Sequence, residues 1–258
     1  MKILLIGASG AMGQSLVQYV TNQTEHQVTV VLQEQPSDTE AYQVFTTFDQ
    51  MGDYLAGHPD SVDVMIDFST PRITDDVVAF AVKYQLPLLI ATTGQNDEQR
   101  AKIKAASAHV PILDTHNVSI GVNVMAVLVA QMTKILYPLG YDIEIIEKHH
   151  RYKKDSPSGT AIMLLDSIRE NIEEETTTLS GRDGLDYARP HSEIGIHAIR
   201  SGDIVGEHTV LFGNNQETIE LTHRAGTKDL FVRGALAGAV YLVGAKAGLY
   251  DMHDVIDV

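Results

Sequence analysis

Between Glu144 and Ala161 the chain reads EIIEKHHRYKKDSPSGTA, and from Lys148 to Lys154 only Tyr152 is not basic. The whole chain of 258 residues carries a formal charge of −15, so this run is not inherited from a basic background. Ser156-Pro157-Ser158-Gly159-Thr160 follows at once and reads as the start of a helix. Cations feeding a helix N-terminus hold an anion. His149 and His150 are adjacent, and in an extended segment they point to opposite sides, so they have different tasks. Histidine titrates close enough to neutrality to give or take a proton. Lys153 is a stronger cation and, once desolvated, an acid. Gly159 and Thr160 open the helix, where free backbone amides and a hydroxyl can grip a carboxylate. Ser158 is placed as the N-cap. A metal site is not expected. His149, His150, His191, His197, His208 and His223 are numerous, but adjacent histidines seldom chelate one ion, there is no cysteine, and no H-E-x-x-H occurs. His197 and His208 read as structural or interfacial strand residues.

An anion held among proton donors needs a reactive partner, and the N-terminus supplies a site for one. Ile3 to Ile6 is a short apolar run, as in a strand buried on both faces. Gly7-Ala8-Ser9-Gly10-Ala11-Met12-Gly13 follows, then the helical stripe Leu16, Val17, Tyr19 and Val20. Strand, glycine turn and helix together make a dinucleotide fingerprint, here spaced G-x-x-G-x-x-G. Gly7 permits the turn, Gly10 lets phosphate approach the backbone, and Gly13 lets the helix pack on the strand. Val28–Leu32 is the second strand. Glu34 stands just past it, about 20 residues after the last motif glycine, where an acid holds the ribose 2′-hydroxyl of NAD. No Lys or Arg lies between Lys2 and Arg72. The expected cofactor is therefore NADH, with NADPH as the alternative.

Further strands are predicted at Val62–Phe68, Pro87–Thr92 and Val110–Asp114, with helices after Thr70-Pro71 and over Asn96–Ser107. The stretch Ser37–Asp60 is polar and irregular, with one short strand near Val44 and a short helix near Met51. Alternating strands and helices mean a parallel, doubly wound, Rossmann-like sheet. Ligands bind such sheets beyond the carboxyl ends of the strands. That places Gly7, Ala8, Ser9, Gly10, Ala11, Met12, Gly13, Glu34, Phe68, Ala91, Thr92, Thr93, Thr115, His116, Asn117 and Val118 around one cofactor crevice.

After Asn117 the pattern changes. Ile120–Tyr137 is apolar on nearly all sides and reads as a buried helix. Tyr141–Glu147 is a strand leading into the basic run, and Ala161–Ile172 a helix. Ile194–Arg200 and Ile204–Phe212 flank Ser201-Gly202-Asp203, and Glu217–His223 follows Gly213-Asn214-Asn215-Gln216; both junctions read as hairpins. Phe231–Ala247 reads as a final helix. The expected architecture is α/β: a dinucleotide-binding domain, 1–118 with 228–258, and an inserted α+β domain with a mixed open sheet, 119–227, for substrate and oligomerisation. The negative charge argues against nucleic acid and anionic membranes. No run of 18 apolar residues appears, and a cytoplasmic protein is expected.

Glu147 to Ala161 closely resembles the signature E-x-H-H-x-x-K-x-D-A-P-S-G-T-A of bacterial dihydrodipicolinate reductases. The resemblance extends over nearly the whole chain: the glycine loop with Met12, Asp67-Phe68-Ser69, Ala91-Thr92-Thr93-Gly94, Asn117 with Ser119 and Gly121, and IGIHAIRSGDIVGEHTVLF from Ile194 to Phe212. It implies hydride transfer from NADH or NADPH to a cyclic unsaturated dicarboxylate in the diaminopimelate route to lysine. By that pattern His149 and Lys153 are the proton-donating pair, and His150, Gly159 and Thr160 hold a substrate carboxylate. It also implies a homotetramer assembled through the second domain's sheet. Ser156 replaces the usual alanine, Thr115-His116-Asn117-Val118 stands where Ala-Asn-Phe is common, Thr227-Lys228-Asp229 replaces a commoner Ser-Arg run, and Ala11 stands where many members carry a cation. The last again points away from NADPH. Two other readings are a nicotinamide-dependent reductase of another small dicarboxylate and a nucleotide-sensing regulator without turnover.

Overall fold

A computed structural model describes residues 1–35, 41–185 and 187–257. Positions 37–40 of the polar stretch lie outside the described residues. The chain divides into two compact units, residues 1–119 with 229–258, and residues 120–228.

The first unit holds β1 (Lys2–Ile6), α1 (Ala11–Gln23), β2 (Gln27–Leu32), β3 (Gln43–Phe45), α2 (Phe48–Gly57), β4 (Val64–Asp67), α3 (Thr74–Tyr84), β5 (Leu88–Ile90), α4 (Asp97–Ala106) and β6 (Pro111–Asp114). Its strands are parallel, ordered β3-β2-β1-β4-β5-β6, with one further strand beyond β6. Alternate residues of β1 feed two cores. Leu4 and Ile6 pack with Met51, Val77, Phe80 and Ile103 from α2, α3 and α4, while Ile3 and Leu5 pack with Leu16 and Val20 from α1. Thus the unbroken apolar run of β1 is the mark of a strand covered on both sides. The strand order reverses between β1 and β4, which opens the crevice where such sheets bind ligands.

The second unit holds α5 (Ile120–Leu136), β7 (Asp142–His149), α6 (Gly159–Arg169), β8 (Thr177–Leu179), β9 (Glu193–Arg200), β10 (Glu207–Gly213) and β11 (Thr218–Arg224). The chain then returns to the first unit through α7 (Asp229–Val243), β12 (Gly248–Tyr250) and α8 (Met252–Ile256). The expected single closing helix is therefore a helix, an edge strand and a short helix; β12 pairs parallel with β6.

The five-stranded sheet runs β11-β10-β7-β9-β8 and is mixed: β9 pairs parallel with β7, and β10 antiparallel with it. β9 and β10 are not a hairpin. β7 lies between them, and residues 201–206 carry the chain across it. The reason is burial: Ile143 and Ile145 of β7 are fully buried beside Ile194 and Ile196 of β9 and Val210 and Phe212 of β10. Each such side chain contributes about 1.5–3 kcal/mol when removed from water, which a local turn preference does not match. β10 and β11 do form the expected hairpin, closing at Gly213 and Thr218.

α5 covers this sheet with one face only. Met125, Ala126 and Val129 are in the core, but Ile120, Val124, Leu128 and Ile135 are exposed. With its terminal turn, Ile120–Leu139 is long and apolar enough to cross a membrane by length and composition alone. Packing of its inner face on the sheet accounts for part of that character, with 39% of the apolar window buried.

Candidate active site

The first unit makes a tight glycine turn between β1 and α1. Gly7 adopts φ +85°, and a Cβ there would meet the Phe68 carbonyl oxygen at 2.6 Å. Gly13 packs α1 onto the turn, where a Cβ would lie 2.3 Å from the Gly7 oxygen. Gly10 is the N-cap and provides no side-chain cap; no acid stands in the first turn. The amides of Ala11, Met12 and Gly13 thus begin a helix whose dipole favours an anion. Ala8 is buried in the core behind the turn.

A cavity of about 750 Å³ opens from this turn. Gly7, Ser9, Gly10 and Glu34 line it, with Ser69 and Thr70 after β4. Thr46, Thr47, Phe48, Asp49, Ile73 and Asp76 line it as well; none is a sequence-predicted site residue, and the stretch around the first four reads only as irregular chain before a short helix near Met51. Thr47 caps α2 by accepting from the Gln50 amide. The cavity volume, its uncapped helix start and its acid at the end of β2 fit a dinucleotide.

Other predicted residues sit at neighbouring strand ends rather than on this cavity's wall. Phe68 follows β4, its carbonyl seated against Gly7. Ala91, Thr92 and Thr93 follow β5; Thr92 Oγ1 accepts from the Ser69 amide at 3.0 Å. Asp67, fully buried at the end of β4, receives the Ser69 amide and hydroxyl. Burial pushes its carboxyl up despite those hydrogen bonds. After β6, Thr115 Oγ1 accepts from the Asn117 amide, and Asn117 Oδ1 accepts from the Ser119 amide. His116 Nε2 lies 3.5 Å from the Arg100 guanidinium. Val118 is buried against α7, where a Cβ on Gly234 would lie 1.7 Å from the Val118 oxygen.

In the second unit the polar site grows out of strand alternation. Along β7, Ile143 and Ile145 face the helix-covered core, and by the same period Glu147 and His149 continue that face. Arg200 continues the Ile194–Ile196 face of β9, and His208 the Val210–Phe212 face of β10. The sheet's inner face is therefore apolar at one end and polar at the other. Glu147 is fully buried, and His149 and His208 nearly so. Glu147 Oε2 lies 2.7 Å from His149 Nδ1, and its two oxygens accept from Arg200 at 2.6 and 2.8 Å. Oε1 also accepts from the Ser158 amide at 3.0 Å.

Ser158 caps α6 by accepting from the Ala161 amide, and its Oγ lies 3.0 Å from His208 Nε2. Gly159 and Thr160 are the first residues of α6, and a Cβ at Gly159 would meet nothing within 4 Å. The space beside Gly159 is thus open, with no acid in the first turn of α6. His150 is half-buried, and its buried Nδ1 has no hydrogen-bond partner. Lys153 pairs with Asp155 at 3.0 Å. As expected of adjacent residues, the two histidines differ: His149 ends the strand facing inward, while His150 begins the loop.

Burial lowers the His149 pKa; the Glu147 hydrogen bond opposes it, and the charges of Lys153 and Arg200 reinforce it. Burial works to raise the Glu147 carboxyl, but hydrogen bonds from Arg200, His149 and the Ser158 amide outweigh this and leave it below the usual range. Burial pushes His208 down to about 4, so it is neutral. Glu147 and Arg200 were not singled out from sequence for any role. The signal was present: a Glu on the same strand face as two core isoleucines.

A glycine turn at the switch point of a parallel sheet in one unit, and a mixed sheet in the other, define the class of two-unit oxidoreductases that use a nicotinamide dinucleotide. Residues 1–118 match the family described as dihydrodipicolinate reductase, N-terminus, and residues 121–256 match dihydrodipicolinate reductase, C-terminus. A 4-hydroxy-tetrahydrodipicolinate reductase of Clostridium novyi (strain NT) is 39% identical, with 99% of this chain and 98% of that protein covered. One from Burkholderia ambifaria (strain AMMD) is 40% identical, with 99% of each covered. The dipicolinate-bound dihydrodipicolinate reductase from Paenisporosarcina sp. TG-14 superposes with a TM-score of 0.80 at 22% identity, covering 99% of both chains. The chain belongs to the dihydrodipicolinate reductase family.

Proposed function

We propose that this chain reduces 4-hydroxy-tetrahydrodipicolinate to tetrahydrodipicolinate with a nicotinamide dinucleotide, one hydride and one proton being added to the ring and the 4-hydroxyl leaving as water, in the diaminopimelate route to lysine. One observation carries the reading. A single carboxylate, Glu147, is shared by His149 Nδ1 and the Ser158 amide, so an imidazole and an open helix start stand side by side. That pairing suits a substrate with a carboxylate to grip and electrons to quench. A dinucleotide held by the first unit supplies the hydride. The Gly159 and Thr160 amides, with the Thr160 hydroxyl and His150, bind a ring carboxylate. His149 and Lys153 supply the proton, a task worth on the order of 10²–10⁴-fold in rate. Around the dinucleotide, Gly7 to Gly13 hold the pyrophosphate and Glu34 the ribose; Phe68, Ala91 to Thr93 and Thr115 to Val118 shape the remaining strand ends.

NADH is the favoured cofactor, with NADPH as the alternative. Glu34, Asp49 and Asp76 line the cavity, which has no Lys or Arg among its described lining residues. A 2′-phosphate would meet carboxylates and no cation. A specificity constant favouring NADPH by tenfold or more would overturn this. The second unit is proposed to assemble a homotetramer through its sheet, whose outer face carries Asp142, Glu144 and His197, ion-paired among themselves or with Arg182 and Arg189 from the segment between β8 and β9. Light scattering giving a mass other than four chains would contradict it. A cytoplasmic location follows from a nicotinamide-dependent biosynthetic role. The activity is tested by supplying the condensation product of aspartate semialdehyde and pyruvate and following absorbance at 340 nm. Oxidation of the dinucleotide with other small dicarboxylates only would point to the rival reductase, and no oxidation with any would point to a regulator.

A further inference from the structure

We propose that Glu147 is the positioning residue for His149, fixing which imidazole nitrogen exchanges a proton with substrate and locking that nitrogen to the carboxylate-gripping start of α6. This rests on the reading of His149 as proton donor.

An ionised carboxylate offers about four acceptor positions, two on each oxygen. Glu147 uses all four: Arg200 twice, the Ser158 amide, and His149 Nδ1. The guanidinium and the amide can only donate, so Glu147 is an acceptor throughout. His149 Nδ1 must then carry the hydrogen of the 2.7 Å contact. The tautomer is thereby set, and Nε2 is the nitrogen left for chemistry. Space on that side is kept by Gly206, where a Cβ would stand 3.1 Å from Nε2.

The charges around His149 give Glu147 a second effect. Lys153 and Arg200 both disfavour an imidazolium, as does burial, and Glu147 is the group that favours it. Across the sheet, His208 presents its ring edge-on at 5.1 Å between centroids. His208 is neutral and directed at Ser158 Oγ, so it adds no proton to the pair. Asp155 is the partner of Lys153. Arg200, in turn, holds Glu147 ionised and prevents it from taking the His149 proton. Breaking a buried, fully hydrogen-bonded pair of this kind leaves an uncompensated charge, which makes the arrangement costly to disturb.

A donor must be protonated to act, so activity falls as pH rises through its pKa. Removing the Glu147 charge lowers that pKa, and the high-pH limb must move toward acid. The test is Glu147→Gln in the full chain, which keeps the shape and removes the charge. The expected result is a fall in kcat of about 100-fold, with the high-pH limb displaced downward by at least about one unit. Affinity for pyridine-2,6-dicarboxylate should change less than about threefold. A kcat loss with an unmoved limb would reduce Glu147 to a structural part and overturn the proposal, as would an unchanged kcat. Nitrogen-15 NMR of His149 in the unaltered protein needs no variant to fold. Nδ1 protonated with Nε2 bare at high pH supports the assignment, and the opposite tautomer refutes it. Absence of turnover in the unaltered protein would instead strike the functional reading, and the tautomer measurement still decides the role of Glu147.

Discussion

Substituting Gly13 by Ala adds one methyl group at the tightest point of the β1–α1 turn. Its Cβ would stand 2.3 Å from the Gly7 oxygen and 2.6 Å from Ala8 Cα, where ordinary contact begins at 3.4 Å. Both obstacles are backbone, so no side-chain rotation relieves them. The helix start must move by about 1 Å, which overpacking data place at about 1–3 kcal/mol. Alanine returns up to about 1 kcal/mol in helix propensity. With about 2 kcal/mol taken for the overpacking, the net loss is about 1–2 kcal/mol, or roughly 2–8 °C in Tm at this chain length. The functional loss should be larger, because the amides of Ala11, Met12 and Gly13 move with the helix. A displacement of about 1 Å costs up to about 100-fold where groups must be aligned. NADH titration by fluorescence and a thermal scan read the two effects separately. Gly57→Ala is the control: its Cβ would meet nothing within 4 Å, and its φ is outside the left-handed region. If Gly13→Ala binds NADH within twofold of the unaltered protein, the turn is not the pyrophosphate cradle.

Thr160→Val should raise KM for the dicarboxylate by roughly 10-fold or more, as for a lost hydrogen bond to a charged group, while kcat changes little; a fall in kcat alone would move Thr160 out of ground-state binding. Glu34→Arg should shift the NADH-to-NADPH ratio of kcat/KM toward NADPH by at least about tenfold, and an unchanged ratio would remove Glu34 from the ribose. Acid stability provides a further check through His208, whose folded pKa of about 4 lies below its ordinary 6.5. The unfolded chain then binds more protons between those values, so stability is full above pH 6.5 and falls as pH drops toward 4, by on the order of 3 kcal/mol. Glu147, held low when folded, adds stability that is present above the usual carboxylate pKa and lost as pH falls through its depressed value. Denaturant titrations of His208→Asn should show a shallower pH dependence in that window; an identical slope would acquit His208.

The parallel sheet was legible because its strands are short unbroken apolar runs, Ile3–Ile6 and Val64–Ile66 among them, and the glycine turn sits between such a run and a helical stripe. β12 was not, since Gly248–Tyr250 is three half-exposed residues whose pairing is supplied by the edge of β6. The β9–β10 junction reads as a hairpin because turn chemistry is local, whereas insertion of β7 is decided by the buried isoleucines of distant segments. α5 looked uniformly buried because composition cannot distinguish the face on the sheet from the face bearing Ile120, Val124 and Leu128. At the second site the basic run announced itself by contrast with an acidic chain. Its buried counter-charge did not: the partnership of Glu147 with Arg200, 53 positions apart, exists only once β9 lies beside β7.

If one chain joins dinucleotide oxidation to protonation of a cyclic diacid by His149, the two must fail together. The direct measurement is the rate of absorbance loss at 340 nm with NADH and the freshly condensed aspartate semialdehyde–pyruvate product, for the unaltered protein and His149→Gln. Turnover that falls by about 100-fold or more in the variant, with KM nearly unchanged, is the predicted result. Equal turnover in the two proteins would contradict it.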